Sequence, residues 1–130
     1  GACNAEHKLK SIGMNTANQS VKALAKSIRL ANQTFKEGKT NLALKHIEEG
    51  FHVDEYNVQL LEIAGTIHYQ LNDNKKTIQY AQELITCHPL NPRGYIRQAQ
   101  GLLKSKRPSE ANQIALDGLK KLRRTNNSWQ

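Results

Sequence analysis

Stepping through this chain by 34 residues from one small side chain to the next lands on Ala31, Gly65 and Ala99, and a second series lands on Ala43, Thr77 and Ala111. Apolar positions keep the same phase: Leu30 and Ala64; Phe35, Tyr69 and Leu103; Ile47, Ala81 and Ala115; Phe51, Ile85 and Leu119. A self-similarity of about 34 residues is the mark of helix-turn-helix units stacked in a row. One such hairpin cannot bury its apolar face alone, but several pooled faces make a core within a chain of 130 residues. The period therefore predicts an all-α stack of three antiparallel hairpins, and directs attention to surfaces rather than to a catalytic pocket.

Local signals agree with that frame. Residues 1–19 are polar, carry Gly13 and show no sustained helical period, which predicts a flexible leader or tether. From Ser20 onward Val21, Leu24, Ile28 and Ala31 return at three- and four-residue intervals, placing them on one helical face up to about Glu37, where Gly38 breaks the helix. Thr40 or Asn41 is the expected cap of the next helix and Asp54 of the one after. Asn72, Asp73 and Asn74 predict a turn. Asn91 followed by Pro92 predicts a helix start, as does Pro108, because proline at the first helical position surrenders an amide hydrogen that has no partner there. The predicted domain spans 20–125, with units 24–57, 58–91 and 92–125 and a tail at 126–130.

This alternation of helices, with Pro89 after the second unit, resembles the tetratricopeptide repeat family over residues 24–125. The family places small residues where helices cross closely, here Ala31, Gly65, Ala99, Ala43, Thr77 and Ala111. Glu55 stands where a proline is common, Arg123 departs likewise in the third unit, and His68 replaces a usual tyrosine. The strict step of 34 argues against the RNA-reading pentatricopeptide family, which normally steps by about 35. The resemblance implies that the three hairpins form a right-handed superhelical stack, a non-catalytic scaffold that binds a protein segment in a concave groove lined by the first helix of each hairpin. The groove residues it implies are Arg29, Asn32 and Lys36, then Gln59, Ile63, Thr66 and Gln70, then Arg93, Arg97, Gln100 and Lys104.

Charge sharpens the expected partner. The chain is +8 overall, yet residues 92–125 alone carry +7, whereas 24–57 carry none and 58–91 carry −1. An acidic or amide-rich peptide is the expected ligand of such a basic third unit. Arg93 and Arg97 stand one turn apart, so both can reach one carboxylate. In the family's carboxylate clamp the corresponding positions are Ile28, Asn32, Ile63, Arg93 and Arg97. Ile28 removes a charge and Ile63 an amide, so a full clamp is not expected. Lys120, Lys121, Arg123 and Arg124 offer an alternative, weak binding to nucleic acid, but specific single-strand recognition also requires exposed aromatics, and Tyr95 is expected in the core.

Other chemistry finds no support in the spacing. Glu48 and His52 share a helix face without a third ligand, and Cys87 and His88 diverge as neighbours on a helix. No enzyme activity, cofactor, metal site or small-molecule substrate is expected, and no apolar run approaches the roughly 20 residues of a membrane-spanning helix. Two cysteines are too few for a disulfide framework, and Cys87 is expected to be a small buried hydrophobe. Gly1-Ala2-Cys3-Asn4 resembles the end of a bacterial lipoprotein signal, which implies lipidation of Cys3, a membrane attachment through that lipid, and a role like that of envelope lipoproteins in pilus or secretion assembly. Without the lipid, a cytoplasmic adaptor or a non-catalytic domain of a larger enzyme is the expectation. Ile114, Leu119 and Leu122 are expected to be partly exposed unless Trp129 folds across them, and so to favour self-association.

Overall fold

The computed structural model describes Cys3 and residues 13–127, without the side chains of 125–127. The described residues form six helices and no strand: α1 (Met14–Lys36), α2 (Thr40–Val53), α3 (Val58–Gln70), α4 (Asn74–Cys87), α5 (Pro92–Lys104) and α6 (Pro108–Asn127). The chain divides into two compact units, residues 1–63 and 64–130, with α3 running through the division.

The 34-residue step is written into the backbone as well as the side chains. Gly38, Asn72 and Lys106 all have positive φ, at 79°, 60° and 61°. Just after each, an amide reaches back five residues: Lys39 N donates to Thr34 O, Asp73 N to His68 O and Arg107 N to Leu102 O, all at 2.9 Å. This is one left-handed helix-ending turn used three times, and it satisfies carbonyls that the helix end would otherwise strand. The bends between hairpins repeat too. Asp54 N bonds to Gly50 O and Asn57 N to Asp54 O; one period later His88 N bonds to Leu84 O and Asn91 N to His88 O.

In the first unit α1 packs on α2. Ala31, Ala43, Ile47, Leu60 and Leu61 are buried, and each large side chain removed from water contributes about 1.5–3 kcal/mol. Gly50 admits the Leu60 side chain: a Cβ at Gly50 would stand 2.6 Å from Leu60 Cδ1. Three boundaries differ from the sequence expectation. α1 begins at Met14, before Ser20, because extending an established helix costs little once a turn exists and requires no apolar period. α2 has Lys39 as its N-cap with no side-chain bond, so neither Thr40 nor Asn41 caps it; the preceding turn already fixes where the helix starts. At α3 it is Asn57 whose Oδ1 accepts from Leu60 N at 3.1 Å, while Asp54 steadies Asn57 by accepting from its Nδ2 at 3.2 Å.

In the second unit α4 packs on α5 and α5 on α6. Asp73 caps α4 by accepting from Lys76 N, and Asn91 caps α5 by accepting from Arg93 N, with Pro92 in the first turn. Pro108 opens α6 as expected. Thr77 and Ala111 are buried as the small-residue series predicts. The series fails at Gly65, whose missing Cβ would meet only Arg97 Cγ at an ordinary 3.6 Å, and at Ala99, which is partly exposed. The tight approaches are instead at Gly94, Gly101 and Gly118, where an added Cβ would stand 3.1 Å from Ile85 Cγ1, 3.0 Å from Ile78 Cγ1 and 2.7 Å from Tyr95 Cγ. Tyr95 is buried, and its hydroxyl donates to Pro89 O at 2.7 Å, so its polar end is satisfied.

Candidate interaction site

Helix α5 presents three distinct faces. Gly94, Tyr95, Gln98, Gly101 and Leu102 are buried. Arg93, Arg97, Gln100 and Lys104 follow one another at four-, three- and four-residue spacing along a second face. Ile96, Ala99 and Leu103 make a third, of which Ile96 and Leu103 are exposed.

The second face meets the end of α3 at Tyr69. The Arg97 guanidinium lies 4.9 Å from the Tyr69 ring centroid, and its Nη2 donates to Thr66 Oγ1 at 3.0 Å. The Lys104 ammonium is 3.7 Å from the same centroid and donates to Tyr69 O and to Asn72 Oδ1, both at 3.0 Å. One ring thus fixes two cations by its negative π-face. Among the described residues the two cations are held by a hydroxyl, a carbonyl, an amide oxygen and the ring, none of which carries a formal negative charge. Burial lowers the Arg97 pKa, an effect that the Tyr69 phenol opposes, and guanidinium nevertheless stays charged. Gln100 adds a buried Oε1 without a hydrogen-bond partner among the described residues.

Of the residues that the sequence nominated, the structure brings Thr66, Arg97 and Lys104 together. Arg93 is exposed one turn before Arg97. Arg29, Asn32 and Lys36 lie exposed along α1, and Gln59 and Gln70 are exposed near the two ends of α3. Sequence reasoning missed Tyr69 as a site residue, having assigned it to the recurring apolar position shared with Phe35 and Leu103. The available signal was that it is the one phenol in that series, with basic residues in the next helix.

Beside this site His68 is buried and stacks on Tyr80 with ring centroids 5.5 Å apart. Its Nδ1 has no hydrogen-bond partner among the described residues and stands 3.7 Å from Asp73 Oδ2. Burial lowers its pKa, Lys76 lowers it further, and Asp73 opposes both.

Cys3 and Cys87 are disulfide-bonded, and Cys87 is only partly buried. Cys87 is therefore not the simple buried hydrophobe that the sequence suggested. Among the described residues no group of three or more His, Cys, Asp or Glu could hold a metal ion, and no helix is long and apolar enough to cross a membrane. Leu119 is exposed as expected, and Ile114 and Leu122 are partly exposed, while Trp129 lies outside the described residues.

No family model and no curated protein matches the chain. Among solved structures it is similar to the type III secretion translocator chaperone SycD of Yersinia enterocolitica in its alternative dimer, with a TM-score of 0.69 at 20% identity, covering 75% of this chain and 74% of that one. Together with the thrice-repeated turn, this likeness makes the chain an all-helical protein of tetratricopeptide-like fold.

Proposed function

We propose that the chain is a non-catalytic tetratricopeptide scaffold of three repeats that holds an acidic segment of a partner protein against Arg97 and Lys104, with Arg93 and Gln100 beside them. The observation that carries this reading is the pair of cations fixed on Tyr69 by neutral partners. Each retains the attraction for a carboxylate that a neighbouring acid would otherwise consume, and charge-assisted bonds to such groups are worth about 1.5–3 kcal/mol. Likeness in fold to a secretion chaperone supports a protein-binding role. The disulfide state of both cysteines supports work in an oxidising compartment.

The test is calorimetric titration with a short Asp/Glu-rich peptide into the wild-type chain and into Arg97→Gln and Lys104→Gln. The expected result is binding that weakens about tenfold or more in each variant and weakens with added salt, since the site is partly open to solvent. Equal affinity across all three proteins defeats the reading. Binding of generic single-stranded nucleic acid with the same dependence on Arg97 and Lys104 would transfer the site to that ligand class.

A further inference from the structure

The molecule contains its own template for how a helix docks onto one of its hairpins. Helix α5 seats on α4, with Gly94 against Ile85 and Gly101 against Thr77 and Ile78. It also lays Arg97 and Lys104 over Gly65 and Tyr69 of α3. Under that cover Ala81 is 1% exposed and Ile85 is 8% exposed.

One period later the same positions exist and are open. Ala115 and Leu119 of α6 correspond to Ala81 and Ile85; Ala115 is exposed and Leu119 is 48% exposed. On α5, Ala99 and Leu103 correspond to Gly65 and Tyr69, and Leu103 is 57% exposed. Two apolar stripes that the fold covers by a helix in one hairpin are thus presented bare in the next. The rim is basic: Lys104 adjoins Leu103, and Lys120 and Arg123 stand one turn beyond Leu116 and Leu119.

We propose that the face formed by Ala99, Leu103, Ala115 and Leu119 is a docking surface for an acidic amphipathic helix of a partner protein. Charge complementarity selects this occupant, because a second copy of the chain would bring the same basic residues to the rim. Shape specifies it further. The template requires small residues at two positions seven apart, as at Gly94 and Gly101, so that the incoming backbone can approach Leu119 at one point and Asn112, the counterpart of Ile78, at the other. Over Leu103, where no aromatic ring is present to hold cations, the incoming side chain is apolar. Lys104 borders both this surface and the anion site at Tyr69, but the apolar face is formed by other residues and is tested through Leu103 and Leu119.

The experiment uses a labelled synthetic peptide of the length of α5, with alanine at two positions seven apart, leucine on the adjoining face and glutamate on the flanks. A second peptide carries lysine in place of each glutamate, and a third has the first peptide's composition with the leucines dispersed around the helix. Fluorescence anisotropy is read against the wild-type chain, Leu103→Gln, Leu119→Gln and Arg97→Gln. Both leucines are solvent-facing, so their substitution leaves the thermal midpoint nearly unchanged, and circular dichroism checks this. The expected result is that the first peptide binds about tenfold or more tightly than either control, that each leucine variant costs about tenfold, and that Arg97→Gln leaves the advantage of the first peptide over the leucine-dispersed one unchanged. Absence of binding, indifference to both leucines, or equal binding of the dispersed peptide overturns the proposal. Sedimentation that reveals a dimer dissolved by Leu119→Gln gives the face to a second copy and also overturns it.

Discussion

The hairpin α1–α2 and the hairpin α5–α6 end their first helices in the same turn, yet they differ in what they show to solvent. The first carries a balanced set of charges over residues 24–57 and seals its crossing with Ala31 and Ala43, both fully buried. The last carries +7 over residues 92–125, leaves Ala99 partly exposed and displays Ile96, Leu103, Leu116 and Leu119. Backbone geometry is thus held constant while surface chemistry varies, which separates the residues that make the fold from those available for recognition. Arg107 and Glu110 pair within the last hairpin, so its net charge is the remainder after its own local pairing.

The largest effect expected from breaking this comparison is at the paired glycines Gly50 and Gly118, which hold equivalent positions two periods apart. Gly118→Ala drives a methyl group against the base of the Tyr95 ring, which cannot swing aside, and should destabilise by about 1–3 kcal/mol. Gly50→Ala meets the movable end of Leu60, and the gain of about 1 kcal/mol in helix propensity offsets much of the contact. Urea unfolding of the two variants should therefore give clearly unequal midpoints, and equal losses would remove the distinction between a rigid and a yielding neighbour.

A smaller effect is expected at the shared turn. Gly38→Ala forces a side chain into a left-handed backbone and should cost about 1–2 kcal/mol, whereas Lys106→Gly relieves the same conformation and should stabilise by about 0.5–1 kcal/mol. Opposite signs in thermal denaturation are the outcome to look for. If Lys106→Gly is also destabilising, its side chain has a packing role that the turn alone does not reveal.

The smallest effect concerns His68. Its folded pKa is lowered, so below the ordinary histidine value of about 6.5 the unfolded chain takes up a proton that the folded chain does not. The corresponding stability is complete above that value and falls as pH drops toward the lowered one. The thermal midpoint should fall on acidification more in the wild type than in His68→Gln, and a parallel fall in the two would assign the acid sensitivity to other groups.

Much of this architecture was legible in the residues. Gly38, the Asn72 turn and the Asn91-Pro92 start each act through local backbone preference, which a sequence displays directly. The caps at Lys39 and Asn57 were misread because a preceding turn or bend, and not the side chain alone, sets the first helical residue. The site at Tyr69 was only half legible. Periodicity places Arg97 and Lys104 on one face of α5, but their convergence on a ring 28 and 35 residues earlier depends on how α5 rotates against α3. The close approaches at Gly94 and Gly101 that seat α5 on its neighbouring helix α4 were not marked by the small-residue series either. The disulfide was illegible for a different reason, since two distant cysteines carry no spacing signal.

The turn at Gly38, Asn72 and Lys106 has a consequence for how this chain can change length. Each residue added to a helix rotates everything after it by about 100°, so one insertion beside any of these turns would carry the buried face of the following helix toward solvent. Surface loops ordinarily tolerate insertions, but these three should not, although they are exposed. Gain or loss of a whole 34-residue unit, by contrast, returns each helix to its former orientation. Length variation among proteins built on this plan should therefore be counted in hairpins and seldom in single residues.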